Sequence, residues 1–194
     1  MFASGARIVA GMDEVGRGAI AGPVTIGVVA IDATTTAVPT GLRDSKLMTQ
    51  LRREAMVPVL HAWALAHAVG SASAAEIDTH GIMSALGLAA SRALANLPVA
   101  PDVVVMDGTT AFLLEEPGGP RIITRARADQ DMACVAAASV LAKVHRDAVM
   151  VELDAGHPHY GWASNKGYGA KVHTDAIAAH GVCDLHRRSW NLSR

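Results

Sequence analysis

A short apolar run between two acidic residues sets the strongest limit on the fold. Val103 to Met106 is continuously apolar, with Asp102 before it and Asp107 after it. This pattern is typical of a strand buried on both faces of a sheet, because neither face presents polar side chains to water. The chain must therefore cover both faces of a sheet, with Asp107 at the carboxyl end of one strand.

Two further strands are predicted as a hairpin at the start of the chain. Residues 7–15 and 23–31 are rich in Val and Ile, and the glycine-rich turn from Gly16 to Gly22 separates them. The later predicted elements are helices at about 48–68, 74–97 and 132–153, a strand at 121–125 and a short helix near 171–180. Ser73 and Glu76 have the spacing of a capping box at the second helix. This order predicts an α/β fold with a central mixed β-sheet flanked by helices.

The composition changes near the C-terminal end. From about residue 156 to residue 194 the chain combines glycine, aromatic and basic residues, with helical pattern only near 171–180. A chain of 194 residues is of the usual size for one domain. We therefore expect a single domain over 1–194, in which 156–194 form a helical section that faces the substrate.

A membrane-spanning helix is not expected. No charged residue occurs between Glu54 and Glu76, but Pro58, His61 and His67 interrupt this stretch with polar groups and a helix breaker. A buried amphipathic helix is the better interpretation. The N-terminus lacks the charged and apolar regions of a secretory signal.

Charge and cysteine content restrict the remaining classes of protein. The formal net charge is −1, so binding to a nucleic acid would depend on local basic patches. Cys134 and Cys183 are the only cysteines, too few for a disulfide framework and without the spacing of a zinc site. Two structural thiols in a reducing compartment are expected, so the predicted location is cytoplasmic.

Acidic residues at the ends of apolar strands are the main chemical signal. Asp13 and Glu14 end the first strand, Asp107 ends the buried strand, and Asp129 precedes the long helix. An ionised carboxylate beside an apolar core is costly unless it is paired or bound to a metal. Four carboxylates without a coherent set of Cys or His favour Mg²⁺ or Mn²⁺ over zinc. Phosphoryl chemistry with two metal ions is the leading hypothesis.

Each acid alone also has a structural interpretation. Asp13 and Glu14 could be solvated charges at a strand end, and Asp129 could be a helix N-cap. Adjacent residues of a regular strand point to opposite faces, so Asp13 and Glu14 share a metal pair only where the strand ends or bends. Gly16 and Gly18 offer that freedom. The joint pattern favours the metal site.

The motifs resemble one known family, ribonuclease HII. Residues 13–24 (DEVGRGAIAGPV) are similar to its N-terminal signature. The resemblance continues through DSKLM at 44–48, EID at 76–78, Asp107-Gly108, AAASVLAKVHRD at 136–147, NKGYG at 165–169 with His173, and HRRSW at 186–190. It therefore spans nearly the whole chain. It implies a ribonuclease H-like fold and an endonuclease that cuts the RNA strand of RNA–DNA hybrids and embedded ribonucleotides, leaving 3′-hydroxyl and 5′-phosphate ends.

The resemblance also implies the metal ligands. They fall on Asp13, Glu14, Asp107 and one acid before the AAAS helix. The family usually has Lys-Gly-Asp there, whereas this chain has Arg127-Ala128-Asp129 and a competing acid, Asp131, two residues later. The offset from Ser139 favours Asp129.

Substrate contacts follow from the same resemblance. It assigns Gly16, Arg17 and Gly18 to the ribose 2′-hydroxyl, the group that distinguishes RNA from DNA, and Tyr168 to stacking on the next nucleotide. Basic residues that are expected to contact phosphates, or else to lie on a solvated face, are Lys46, Lys143, Arg146 and Lys166.

Two alternative functions fit the sequence less well. Sugar kinases and ATPases with a related fold use strand-end carboxylates, but this chain shows no second glycine-rich phosphate motif and is too short for their duplicated domain. A non-catalytic hybrid-binding module would have no reason to keep four candidate metal ligands. We expect a monomer that acts on RNA–DNA hybrid duplexes and on DNA containing ribonucleotides.

Overall fold

The computed structural model describes residues 1–192, which form a mixed five-stranded sheet with helices on both faces. The strands are β1 (Ile8–Val15), β2 (Val24–Asp32), β3 (Ala66–Ala72), β4 (Val103–Asp107) and β5 (Arg121–Arg125). Their order in the sheet is β3-β2-β1-β4-β5. Strands β1, β2 and β3 pair antiparallel, whereas β4 pairs parallel with both β1 and β5. The predicted hairpin and the central mixed sheet are confirmed.

The helices of the described chain vary widely in length. They are α1 (Gln50–Trp63), α2 (Ala74–His80), α3 (Ile82–Ala95), α4 (Ala128–Asp131), α5 (Ala133–Asp154), α6 (Trp162–Asn165) and α7 (Lys171–His180). The predictions of a long helix over 132–153 and a short one near 171–180 are confirmed. Among residues 1–192, no helix is both long enough and apolar enough to cross a membrane.

Helix α5 lies unusually close to the sheet because glycines face it. A Cβ atom built on Gly11 of β1 would lie 2.3 Å from the backbone carbon of Cys134, and one on Gly27 of β2 would lie 2.4 Å from the carbonyl oxygen of Ala138. No side chain fits at either position. The small residues of α5, chiefly alanine, complete this helix–sheet seam. The opposite face of the sheet packs on α2 and α3 through Met12, Ile26 and Met106.

Strand β3 was not predicted, and the helix predicted over 48–68 is correspondingly too long. The helix ends at Trp63, and residues 66–72 alternate between buried and half-buried positions as an antiparallel partner of β2. Alanine favours helix, but its intrinsic preference is weak and tertiary packing overrides it here. A Cβ on Gly70 would lie 2.2 Å from the carbonyl oxygen of Ala89, so β3 packs directly against α3.

The helix predicted over 74–97 is two helices. Gly81 breaks it with φ of 77°, a left-handed conformation that glycine adopts without steric cost. The capping box at its start is confirmed: the Ser73 hydroxyl accepts from the Glu76 N–H, and the Glu76 carboxylate accepts from the Ser73 N–H.

Residues 156–192 pack on the end of α5 and on the turn after β1. Tyr160, Trp162 and Ala176 form a buried cluster with Ala21 and Met150. An isolated β-bridge joins Ala21 to His186. This C-terminal section therefore holds the segment between β1 and β2 from one side.

Candidate functional site

Two of the predicted acids lie side by side because of strand register. Met12 of β1 and Met106 of β4 are the last partners of the parallel pair, so Asp13 and Asp107 follow that pair directly. Partners in a parallel pair point to the same face, and here alternation places both acids on the face that α5 covers. The predicted convergence of Asp13 and Asp107 at the strand ends is therefore what the register produces.

Asp13 is held by α5 and by the loop before α1. Its side chain is 3% exposed. The carboxylate accepts from the N–H of Glu14 at 2.8 Å, and the nearby Ser139 hydroxyl favours its charged form. Ser139 in turn hydrogen-bonds Ser45 at 2.7 Å. Burial and the neighbouring Glu14 carboxylate raise the pKa of Asp13 to about 7, so the metal-free protein resists holding a charge there.

Glu14 reaches the same region without a break in the strand. Strand β1 stays in regular register through Val15, with Glu14 opposite Ile26, so the bend that the sequence suggested is not found. Instead β4 pairs with β1 only as far as Met12, which leaves the end of β1 open on that side. Burial raises the pKa of Glu14 despite Arg17, whose Nη1 lies 3.7 Å from the carboxylate.

Asp129, and not Asp131, lies beside these acids. Asp129 is 4% exposed in α4, and its carboxylate is 3.5 Å from Lys46 Nζ. The Asp107 carboxylate accepts from the N–H of Ala128 at 2.8 Å, which ties α4 to the end of β4. Burial and the Asp107 charge raise the pKa of Asp129. Asp131 points to solvent and pairs with Arg125 at 2.6 Å.

The N-cap interpretation of Asp129 is wrong for a local reason. The residue at the N-cap of α4 is Arg127, with φ of 60°, and the next helix begins after Met132. The Asp129 side chain is thus inside the first short helix and faces the other carboxylates.

One cavity gathers nearly all of the predicted site residues. Its walls include Asp13, Glu14, Asp107, Gly16, Arg17, Gly18, Lys46, Lys143 and Tyr168, together with Ser45 and Ser139. Asp129 lies next to this cavity, where its carboxylate forms an ion pair with Lys46 of the lining. We call Asp13, Glu14, Asp107 and Asp129 the carboxylate pocket.

The chemistry of the carboxylate pocket fits a hard divalent cation. Its donors are oxygens. Burial and, after it, mutual repulsion raise the pKa of Asp13 and of Asp129, and a bound dication would offset both costs. Within residues 1–192 no three acidic, His or Cys side chains already enclose a metal position.

Sequence reasoning missed three residues that orient the carboxylate pocket. Asp44 is 4% exposed and its charge helps to raise the pKa of Asp129, while Ser139, hydrogen-bonded to Ser45, lines the cavity beside Asp13. Asp44 follows no strand, so the strand-end criterion could not find it. The DSKLM match at 44–48 was the only available signal.

Arg146 is not a phosphate contact, contrary to the sequence expectation. It is fully buried, and its guanidinium donates to the carbonyl oxygens of Ala21, Pro23 and Lys166. The guanidinium carbon lies 5.5 Å from the centre of the Tyr168 ring. Arg146 therefore supports the Tyr168 ring from behind. Lys166 lies outside the cavity lining and donates to the carbonyl of Ala163.

A chain of hydrogen bonds fixes the backbone of Tyr168. His173 Nδ1 is 2.9 Å from the carbonyl oxygen of Tyr168 and therefore donates to it. His173 Nε2 is then an acceptor for Trp162 Nε1 at 3.0 Å and for His186 Nε2 at 3.1 Å. Cys183 donates its N–H to His186 Nδ1. Both imidazoles must be neutral for every bond to form.

This pair of histidines predicts acid sensitivity. Burial and the adjacent His173 lower the pKa of His186 to about 4, below the value of about 6.5 expected in the unfolded chain. The unfolded state binds the proton more tightly, so the contribution to stability is present above about pH 6.5 and is lost as pH falls toward 4. The loss is on the order of 3 kcal/mol.

Urea unfolding of wild type and His186→Gln between pH 4 and 7.5 measures this effect. We expect the stability of the variant to fall less steeply with acidity, since glutamine does not titrate and other groups titrate equally in both proteins. Parallel stability curves would contradict the assignment.

Comparisons with known proteins agree on one family. A sequence profile described as Ribonuclease HII matches residues 10–193. The chain is 48% identical to a Ribonuclease HII of Streptomyces coelicolor over 188 residues, covering 96% of this chain and 78% of the relative. It is 45% identical to one from Thermus thermophilus, covering 94% and 86%. The crystal structure of ribonuclease H2 from Pyrococcus horikoshii superposes with a TM-score of 0.78 at 26% identity, covering 96% and 95%.

Proposed function

Because the chain belongs to the ribonuclease HII family, we propose that the carboxylate pocket is its nuclease active site. The ribonuclease H-like fold is shown by the structural likeness. Members of the family are metal-dependent endonucleases that cleave the RNA strand of RNA–DNA hybrids and cut at ribonucleotides in DNA, and this chain is one of them. The observation that carries the site assignment is the convergence of four acids at the ends of β1 and β4 and on α4.

Two metal ions held by the carboxylate pocket would activate a water molecule and stabilise the leaving oxygen. The protein's own groups do the rest. Asp13 and Asp107 lie on strands whose backbone packs closely against α5, so the backbone positions of these two acids are fixed before substrate arrives. Lys46 and Lys143 line the cavity and offer positive charge to the phosphodiester. Family membership supports a divalent cation, and the all-oxygen donor set supports Mg²⁺ or Mn²⁺.

The same cavity contains the residues that we assign to substrate recognition. The Gly16-Arg17-Gly18 turn and Tyr168 line it together with three of the four carboxylates. We propose that the turn contacts the ribose 2′-hydroxyl and that Tyr168, which is 36% exposed, stacks on the following nucleotide.

Cleavage of a duplex with one embedded ribonucleotide, with Mg²⁺, Mn²⁺ or EDTA, tests the function directly. We expect a single cut next to the ribonucleotide with either metal, 3′-hydroxyl and 5′-phosphate ends, and no cut in EDTA. ATP hydrolysis without cleavage would favour the kinase-like alternative. Binding without cleavage under all metal conditions would favour the non-catalytic module.

Tyr168→Ala should slow cleavage by about one to two decades, because base–aromatic stacking is worth about 1–3 kcal/mol. The loss of cleavage rate should be greater at a single embedded ribonucleotide than on a continuous hybrid, because other contacts also bind the RNA strand of the hybrid. Single-turnover rates on both substrates measure it. Tyr168→Phe keeps the ring and should lose less. Equal slowing on both substrates would identify Tyr168 as a packing residue.

We further propose a monomer in the cytoplasm. Cys134 and Cys183 are free thiols, which supports a reducing compartment. Light scattering of the purified protein tests the oligomeric state. A dimer at micromolar concentration would contradict it.

A further inference from the structure

Arg187 is a buried cation whose guanidinium bonds only to backbone. Its side chain is 0% exposed, and among residues 1–192 it forms no ion pair with a carboxylate. Burying a guanidinium without a counter-ion costs free energy unless every donor is satisfied. Here the guanidinium donates to three carbonyl oxygens of one short segment, residues 16–22. This indicates that Arg187 fixes the conformation of that segment.

The three carbonyls belong to the turn between β1 and β2. Arg187 Nη2 donates to the carbonyl of Gly16 at 2.6 Å, and Nη1 donates to that of Arg17 at 2.8 Å. Nε and Nη2 also reach the carbonyl of Gly22 at 3.3 Å. These contacts join positions 171 and 170 residues apart in the chain. The two carbonyls at the tip of the turn therefore point inward.

Peptide geometry then dictates where the adjacent N–H groups point. No peptide bond in the described chain is cis, and in a trans peptide the C=O and the following N–H point in opposite directions. Since the carbonyls of Gly16 and Arg17 point toward Arg187, the N–H groups of Arg17 and Gly18 point away from it. Within residues 1–192 neither N–H donates a hydrogen bond. Both residues line the cavity with the carboxylates.

We propose that Arg187 is a positioning residue for substrate selection: it sets the peptide planes of the Gly16–Gly18 turn so that two adjacent N–H groups face the sugar of the scissile nucleotide. The inference rests on the proposed function of that cavity. An oxygen at the 2′ position accepts from this pair, whereas a deoxyribose offers none. Arg187 touches neither substrate nor metal and acts only through the backbone of the turn.

The test compares binding of two duplexes that differ in one sugar. Affinities of wild type and Arg187→Lys are measured by fluorescence anisotropy in EDTA, with a duplex that carries one ribonucleotide and with the same sequence as DNA. Lysine keeps the charge but lacks the planar fork that holds several carbonyls at once. We expect the preference for the ribonucleotide duplex to fall about tenfold, the value of one to two hydrogen bonds. Affinity for the DNA duplex should stay within about twofold, since phosphate contacts govern it.

Arg188→Lys is the matched control. Arg188 is the next residue, but its side chain is 54% exposed and, among residues 1–192, bonds only to Asp184. It should keep the wild-type preference. A merely structural role for Arg187 would weaken binding of both duplexes equally, and this outcome overturns the proposal.

A second variant tests the proposal in case Arg187→Lys does not fold. The Trp190 ring lies 4.8 Å from the Arg187 guanidinium carbon, and Trp190 is only half-buried. Trp190→Leu removes this cation–π contact, so we expect about a threefold loss of preference. If Arg187→Lys does not fold by circular dichroism, an unchanged preference in Trp190→Leu overturns the proposal. If wild type fails to cleave with metal, the proposed function fails; if it cleaves and folded Arg187→Lys keeps its preference, only this inference fails.

Discussion

Asp13→Asn and Asp107→Asn are each expected to reduce cleavage at least about a thousandfold, or ~4 kcal/mol in the activation barrier. A neutral amide cannot balance the charge of a bound dication, while its size preserves the local hydrogen bonds. The Asp107 oxygen that accepts from Ala128 N–H is retained in asparagine. Single-turnover cleavage at saturating Mg²⁺ or Mn²⁺ measures the loss.

The free energy of unfolding of the Asp13→Asn variant shows whether an inactive protein has lost its chemistry or its fold. Because burial raises the pKa of Asp13 to about 7, the folded state binds its proton more tightly than the unfolded state. Asp13 therefore lowers the stability of the metal-free protein progressively as pH rises from about 4 to about 7. Asp13→Asn should thus be more stable than wild type at pH 8, by a few kcal/mol at about 1.4 per pKa unit.

Asp102→Asn serves as the activity control. Asp102 lies at the opposite end of β4 and accepts from the N–H groups of Arg7 and Ile8, far along the strand from the carboxylate pocket. It should cleave at the wild-type rate. Full activity of both purified pocket variants at saturating metal would refute the two-metal site.

Asp129→Asn is expected to be far more damaging than Asp131→Asn. Asp129 is buried beside Asp107 and Lys46, so its loss should cost about two to three decades in rate at limiting metal. Asp131 forms only an exposed ion pair with Arg125, worth about 0–1 kcal/mol. Cleavage rates over a series of Mn²⁺ concentrations, with calorimetric titration of Mn²⁺, measure both effects.

Which of these two variants is the less active decides which acid is the fourth metal ligand. If Asp131→Asn is inactive and Asp129→Asn is active, the fourth ligand has been placed two residues too early. Arg125→Gln removes the partner of Asp131 and should resemble Asp131→Asn in stability and activity.

Local pattern was enough to predict much of the fold. The apolar run before Asp107, the hairpin of β1 and β2, and the periodicity of α5 each depend on residues close in sequence. Strand β3 was not predicted from the sequence because its alanine, histidine and glycine residues have little preference for strands. Its conformation is set by pairing with β2 and by packing on α3.

The site was predictable where it follows strand ends and not where it depends on distant contacts. Asp13 and Asp107 come together through register, which the buried strands made foreseeable. The contacts of Arg187 with the Gly16 turn and the effect of the Asp44 charge on Asp129 join segments far apart in the chain. The burial of Arg146 was likewise hidden, because a helical arginine flanked by polar residues suggests an exposed face.

The close seam between α5 and the sheet limits how this protein can diverge in evolution. Gly11 and Gly27 leave no room for even a methyl group against Cys134 and Ala138, so single substitutions there must shift α5 as a unit. Since α5 carries Ser139 and borders Asp13, such a shift would disturb the acids as well as the core. Sequence drift should therefore concentrate in the exposed loop at 109–120, while the two glycines and the facing alanines change only together.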